Sequence, residues 1–433
     1  MAQHDGLSVP LSDLINCLSD TIDLVSPQLA NHHKRVGLIA YALACQLGLP
    51  EMESIDLHFA GNLHDIGALS LTDRVRLQQF EVGESHHHAE TGALLLEMFS
   101  PLARLGELVR FHHVQWADGA GEVQRGREVP LGSHILHLAD RISVLIGSMD
   151  GIHLLVRVPD ILARVDKASG GMFSPSLVEA FRDLSRKESF WLGLAFPGHN
   201  QALERQGHFR IFKLDTNGIL GLSRLFARII DFRSRFTATH SSGVAASAEA
   251  LARISGRPLA ECAQMRIAGL LHDLGKLAVP AELLEKPIGL SADERALIRC
   301  HTYFTRRALE NIHSFASITA WGANHHERID GKGYPNHIGG DELSHGSRIM
   351  AVSDVFTALT ENRPYRAGLD RSSTQKILNS MVSQSALDPD IVNLLMHNFD
   401  ELNAVRADAQ TEVVLEYGEI RDKVAMMSAA GQA

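Results

Sequence analysis

Apolar residues recur three and four positions apart in two widely separated stretches of the chain. Val36, Ala40, Leu43, Ala44 and Leu47 form one series, and Val244, Ala248, Leu251 and Ala252 another. This spacing gathers apolar side chains on one face of an α-helix, and the run from Arg348 to Thr360 behaves the same way. Strand-like alternation is scarce inside either stretch, so the pattern predicts an all-α chain of helical bundles. Two short pieces depart from it: residues 208–214 and 411–417 alternate well enough to predict short β-strands, one in a connector and one in the tail, that could pair.

The two helical stretches are copies of one unit. His32-x-x-x-Val36 returns as His240-x-x-x-Val244, and Leu63-His64-Asp65-Ile66-Gly67 as Leu271-His272-Asp273-Leu274-Gly275. Both counterparts lie 208 residues on (240 − 32 and 272 − 64). Further along, Gly132-Ser133-His134 to Asp140 parallels Gly346-Ser347-Arg348 to Asp354. Such self-similarity predicts two homologous domains, at 11–186 and 222–403. A connector over 187–221 carries Pro197-Gly198 and Asn217-Gly218 turn signals, and 404–433 forms a tail.

Length and composition narrow the class. At 433 residues, 45% hydrophobic and 21% charged, the chain reads as a globular protein with a sizeable core. A net charge of −10 argues against DNA, RNA or anionic membrane as a partner, because these require a basic face. An anionic substrate must then be met by local cations. The four cysteines lack close pairing and read as reduced, mostly buried core residues. No signal peptide and no apolar run long enough to span a bilayer is legible, so a cytoplasmic protein is expected. The 24 histidines, many of them clustered, are the anomaly.

In the second copy the ordered set is His240, His272-Asp273, His301, His325-His326 and Asp354. Neighbouring residues on a helix point about 100° apart, so two adjacent histidines approach one ion only where a helix is ending. An Asp following a His at such an end can bridge two cations. Imidazoles with carboxylates and no cysteine suit iron, manganese, nickel or zinc in a reactive site rather than a structural zinc. The segment His325-His326-Glu327-Arg328-Ile329-Asp330-Gly331-Lys332-Gly333-Tyr334-Pro335, with His272-Asp273-Leu274-Gly275-Lys276 and Arg363-Pro364-Tyr365-Arg366, resembles the HD-GYP family of the HD phosphohydrolase superfamily.

That resemblance implies an all-helical domain with a binuclear centre that hydrolyses cyclic di-GMP. It implies that His240, His272, Asp273 and Asp354 hold one ion, and Asp273, His301, His325 and His326 the other. A hydroxide between the ions would attack phosphorus in line with the leaving 3′ oxygen. Lys276, Arg363 and Arg366 would neutralise phosphate charge, while Gly331, Gly333 and Tyr334 would shape the pocket. The bland reading of Arg363 and Arg366 is that they brace a helix end. Two positions depart from the family. Phe236 stands where some members carry a third-metal Glu, and Thr357 where many carry an Asp near the substrate. Two divalent ions are therefore expected, iron or manganese by resemblance, with nickel and zinc open. His313, His337 and His345 match no ligand position and read as solvated or capping groups.

The first copy keeps the ligand order: His32, His64, Asp65, His87 or His88, His112, His113 and Asp140. The Thr91/Thr305 match favours His87, and spacing to the next pair favours His88. Ala68 replaces Lys276, and neither Gly-Tyr-Pro nor Arg-Pro-Tyr-Arg follows. A degenerate HD domain is expected, holding metal for regulation or sensing, against the bland reading of persistent buried polar groups. The function expected of the whole is a cyclic dinucleotide phosphodiesterase acting on cyclic di-GMP or cyclic GMP-AMP and releasing a linear dinucleotide. The alternative is a non-hydrolytic adaptor that binds the nucleotide or a signalling protein.

Overall fold

The structure is a computed structural model. It describes residues 6–26, 30–68, 77, 79–80, 86–147, 151–196, 212–231, 239–286, 289–363 and 366–430. The chain folds as two compact units, built mainly of Pro10–Lys213 and Leu214–Glu419. Each is a bundle of helices.

The internal repeat has a structural counterpart. His32–Gln46 and Glu51–Leu63 in the first unit answer to His240–Ile254 and Leu259–Leu271 in the second. Leu131–Ile146 answers to His345–Thr360. The apolar series read from the sequence forms the seam of each pair: Val36, Ala40, Leu43 and Ala44, and likewise Val244, Ala248, Leu251 and Ala252, are all but inaccessible. Backbones approach closely because the crossing positions are small. A Cβ on Gly61 would lie 2.6 Å from Gly37 Cα, and one on Gly269 would lie 2.5 Å from Ala245 Cα, so larger residues there would force the helices apart.

Two expectations change. Residues 411–417 are not a strand but part of the helix Phe399–Ala430, whose Arg406, Gln410 and Val413 are buried. Packing of that face decides its conformation over local alternation. Among the connector's described residues Lys213–Leu214 forms a short strand paired with Val9–Pro10, and 208–211 lie outside the described residues. The connector also contributes helices. Glu188–Ala195 buries Trp191 against Phe181, ring centroids 5.8 Å apart, and Thr216–Asp231 begins within it. Of the cysteines, Cys17 and Cys262 are buried but Cys45 and Cys300 are exposed, all four free. Among the described residues, no single helix is long and apolar enough to cross a membrane.

Candidate metal centres

Helix termini position most of the candidate ligands. His64 and His272 cap the C-terminal ends of Glu51–Leu63 and Leu259–Leu271, while His32 and His240 are the first residues of theirs. Asp140 and Asp354 project from buried helices. The last carbonyls of a helix lack helical donors, and ring nitrogens supply them. His272 Nδ1–H donates to Gly269 O at 2.7 Å, His325 to Gly322 O at 2.7 Å and His64 to Gly61 O at 2.8 Å. His112 does the same to Val109, and His301, within the helix Ala292–Leu309, likewise donates from Nδ1 to Ile298 O. A carbonyl can only accept, so the proton sits on Nδ1 and the Nε2 lone pair is turned inward.

In the second unit those lone pairs converge on Asp273. Its Oδ2 lies 3.1 Å from His272 Nε2, and its Oδ1 lies 3.4 Å from His301 Nε2 and 3.9 Å from His325 Nε2. One carboxylate thus faces two ligand groups. Asp354 Oδ1 is 3.0 Å from His240 Nε2, and its Oδ2 is 3.8 Å from His326 Nδ1. Donor atoms of His240, His272 and Asp273, and separately of His301, His325 and His326, lie within 4.8 Å of one another. Burial pushes His301 down to about 3 and His325 well below the ordinary imidazole range, which keeps their lone pairs available. Burial opposes ionisation of Asp273, but His272 and Lys276 outweigh it and hold the carboxyl well below its usual range.

The first unit repeats the arrangement. Asp65 Oδ2 faces His64 Nε2 at 3.4 Å, and its Oδ1 faces His88 and His112 at 3.2 and 3.5 Å. Asp140 Oδ1 lies 3.4 Å from His32 Nε2. Of the two alternatives, the structure brings His88, with His113, into the cluster and leaves His87 exposed. The reason is a glycine contact common to both units. A Cβ on Gly67 would lie 2.1 Å from His88 O and 2.5 Å from Gly92 N, and one on Gly275 would lie 2.0 Å from His301 O and 2.7 Å from Thr305 N. Gly92, not Thr91, therefore takes the place of Thr305.

These residues fit divalent ions. The Nε2 atoms of His32, His64, His112 and His272, with one oxygen each of Asp65 and Asp140, are buried without a hydrogen-bond partner. Several of those atoms lie near one another but out of line for a hydrogen bond. Buried imidazole nitrogens and carboxylate oxygens that face one another need a cation between them, a proton or a metal ion, and the N/O donor set suits transition ions.

The expected phosphate contacts fare differently. Lys276 Nζ pairs with Asp273 Oδ2 at 2.6 Å. Arg363 holds Glu361 through Nε and Nη2 at 2.9 and 2.7 Å, and Arg366 donates to Ala358 O at 2.6 Å. Both arginines brace the end of His345–Thr360, the bland reading. The glycine loop folds back on the histidine pair. A Cβ on Gly333 would lie 2.5 Å from His326 O, Gly331 adopts φ +68°, and the Tyr334 ring lies 4.9 Å from that of His326. Glu327 is buried and accepts from Asn336 N–H at 2.7 Å. His313, His337 and His345 are exposed, and Phe236 lies outside the described residues. Two residues escaped the sequence reading: Glu361, which contacts His240, and Arg141, which pairs with Asp140. Each adjoins a segment already singled out, but neither charge has a spacing that marks it.

Family profiles described as HD domain match residues 29–145 and 224–391. The chain is 29% identical to 3'3'-cGAMP-specific phosphodiesterase 1 of Vibrio cholerae, over 90% of this chain and 92% of that protein. A cyclic di-GMP phosphodiesterase of Pseudomonas aeruginosa is 38% identical, over 35% of this chain and 36% of its own length. A crystal structure of a cyclic GMP-AMP-specific phosphodiesterase of V. cholerae superposes with a TM-score of 0.63 at 24% identity, covering 91% of this chain and 98% of that one. That likeness supports the fold.

Proposed function

The chain belongs to the HD domain family, once in each half, and from that premise we propose that its C-terminal unit hydrolyses a 3'-5' cyclic dinucleotide. Cyclic GMP-AMP is the favoured substrate: the relative named for it matches along nine tenths of the chain, against about a third for the cyclic di-GMP enzyme. The observation that carries the reading is the position of Asp273, one carboxylate facing two groups of inward imidazoles.

We assign one ion to His240, His272, Asp273 and Asp354, and a second to Asp273, His301, His325 and His326, with iron or manganese favoured. Bound there, divalent ions supply Lewis-acid chemistry at phosphorus. The chain's own residues do the rest. Lys276 orients Asp273 and offsets its charge. The Gly331–Gly333 backbone brings Tyr334 against His326, and Arg299 lies over the Tyr334 ring at 5.0 Å. This pair presents an aromatic face and a cation to an anionic nucleotide. Water adds across one P–O3′ bond: a P–O bond forms, the 3′ oxygen leaves with a proton, and a linear dinucleotide results. The first unit, on this reading, holds metal without turning substrate over, because Ala68 and the missing glycine loop remove the corresponding supports. We place the domains at 11–186 and 222–403 and the protein in the cytoplasm.

The test is turnover of cyclic GMP-AMP and cyclic di-GMP by anaerobically prepared, Fe(II)- or Mn(II)-loaded protein, beside His272→Ala/Asp273→Ala and His64→Ala/Asp65→Ala. Turnover lost only in the first double variant supports the proposal. Binding of the cyclic dinucleotide without turnover by metal-replete protein selects the non-hydrolytic adaptor instead.

A further inference from the structure

His32 and His240 differ from the other anchored ligands. Each begins its helix, so no helical carbonyl lies behind it to receive Nδ1–H. Each finds a side-chain partner instead, from the segment that follows its distal Asp. His32 Nδ1 meets Ser143 Oγ at 3.0 Å; His240 Nδ1–H donates to Glu361 Oε2 at 3.1 Å. By its distance from the distal Asp, the position matching Ser143 in the second unit is Thr357. The Thr357 hydroxyl is buried and has no hydrogen-bond partner. The second unit therefore takes the partner of His240 not from that hydroxyl but from a carboxylate four residues further on.

That carboxylate is costly to bury and fully held. Glu361 is 2% exposed. Oε1 accepts both Arg363 donors, and Oε2 accepts His240 and, at 3.0 Å, Gln410 Nε2 from the helix Phe399–Ala430. Four donors on two oxygens leave it no other orientation. A carboxylate on the far nitrogen of a metal-ligating imidazole fixes the ring and strengthens the near nitrogen as a ligand, whereas a hydroxyl fixes it with less charge.

We propose that Glu361 is a positioning residue of the C-terminal metal centre, fixing the His240 ring through Nδ1–H so that Nε2 faces Asp354 and the interior of the cage, and that Arg363 and Gln410 serve to hold Glu361. This rests on the reading that the C-terminal cage binds metal. It gives Arg363 a role one step removed from substrate and makes the two cages unequal in affinity.

The experiment is Co(II) titration of the full chain, followed by visible absorption and by metal content at equilibrium, for wild type, Glu361→Gln, Glu361→Ala and Ser143→Ala. Gln is isosteric and still accepts from Nδ1–H but carries no charge. Glu361→Gln should weaken the class of sites that His272→Ala/Asp273→Ala removes by about 10–100-fold, and leave the other class unchanged. Ser143→Ala should affect only that other class. Wild-type affinity in Glu361→Gln overturns the proposal, as does equal weakening of both classes. If Glu361→Ala fails to fold, as judged by circular dichroism, Glu361→Gln alone decides. If Gln also fails, Arg363→Gln must weaken the same class by about threefold or more for the proposal to stand. A wild type from which His272→Ala/Asp273→Ala removes no Co(II) site refutes the underlying metal reading instead.

Discussion

The two cages have the same ligands in the same order, yet their cations sit on different carboxylates. In the second, Lys276 reaches from the turn after the His-Asp pair onto Asp273, which faces both ligand groups. In the first, Ala68 stands at that turn, and the buried Arg141 pairs with Asp140 and donates to the carbonyls of Leu77 and Gln79. Val355 stands where Arg141 would be in the second. The surroundings of the last histidine diverge too. His326 is a third exposed and carries Tyr334 on its face, whereas His113 sits beside the buried His137, ring centroids 6.1 Å apart. On the proposed function, holding metal and meeting a substrate draw on different residues of this fold: spaced histidines and carboxylates for the first, a cation and an aromatic at the mouth for the second.

The largest expected effect breaks the comparison at its centre. His272→Ala/Asp273→Ala should lower cyclic GMP-AMP turnover by about a thousandfold or more, since the charge stabilisation available at phosphorus goes with the ions. His64→Ala/Asp65→Ala should leave kcat within about threefold. Equal loss in both would make the first unit catalytic. Chelation comes next. At free metal about a thousandfold above Kd, binding stabilises a unit by about 4 kcal/mol, so stripping with a chelator should lower the melting temperature by about 10 °C. If both cages hold metal, each double variant should show part of the shift and neither all of it.

How much of this was legible beforehand depends on whether the signal was local. The repeat, the helical class and the ligand order each follow from residues at fixed spacing along the chain. His88 over His87 did not, because the deciding contact is the close approach of Gly67 to a helix whose entry carries three histidines in a row. Glu361 and Arg141 were invisible for a related reason: a buried charge announces itself only by what it touches across the fold. Residues 411–417 misled because alternation over seven residues also occurs on a helix, and the buried Arg406, Gln410 and Val413 settle that segment's state.

Proton linkage gives a finer comparison. Burial disfavours the charged form of His240, but Glu361 and Asp354 overcome it and raise the ring to about 10; Asp65 and Asp140 likewise raise His64 to about 9. Without metal, both rings therefore hold a second proton at neutral pH. An ion arriving at Nε2 must displace it, so metal uptake releases protons and apparent affinity rises with pH, by up to about tenfold per unit for each displaced proton between pH 6 and 8. Calorimetry in buffers of different ionisation enthalpy reads the proton count directly. Zero release in both cages would mean that the rings are already neutral.

At the mouth, Arg299→Ala should raise KM for cyclic GMP-AMP by about fivefold, the scale of one charge-assisted contact, while kcat and metal content hold. Unchanged KM would reduce the Arg299–Tyr334 contact to a surface stack.

The smallest effect is the most pointed, because it sets the structure against the family resemblance. Arg366, expected to clamp phosphate, donates to Ala358 O and pairs its backbone with Arg363 through N–H···O bonds of 2.8 and 3.0 Å. Its guanidinium supports the end of the helix that carries Asp354. A single partly exposed hydrogen bond of this kind contributes about 1 kcal/mol, and the backbone pairing survives truncation. Arg366→Ala should therefore change KM by no more than about twofold and lower stability by about 1 kcal/mol, measured by steady-state kinetics and urea unfolding. A tenfold rise in KM with unchanged stability would put Arg366 on the substrate. The second cage would then own a phosphate clamp that the first lacks, and the difference between the two would lie in direct substrate contacts more than in how their ligands are held.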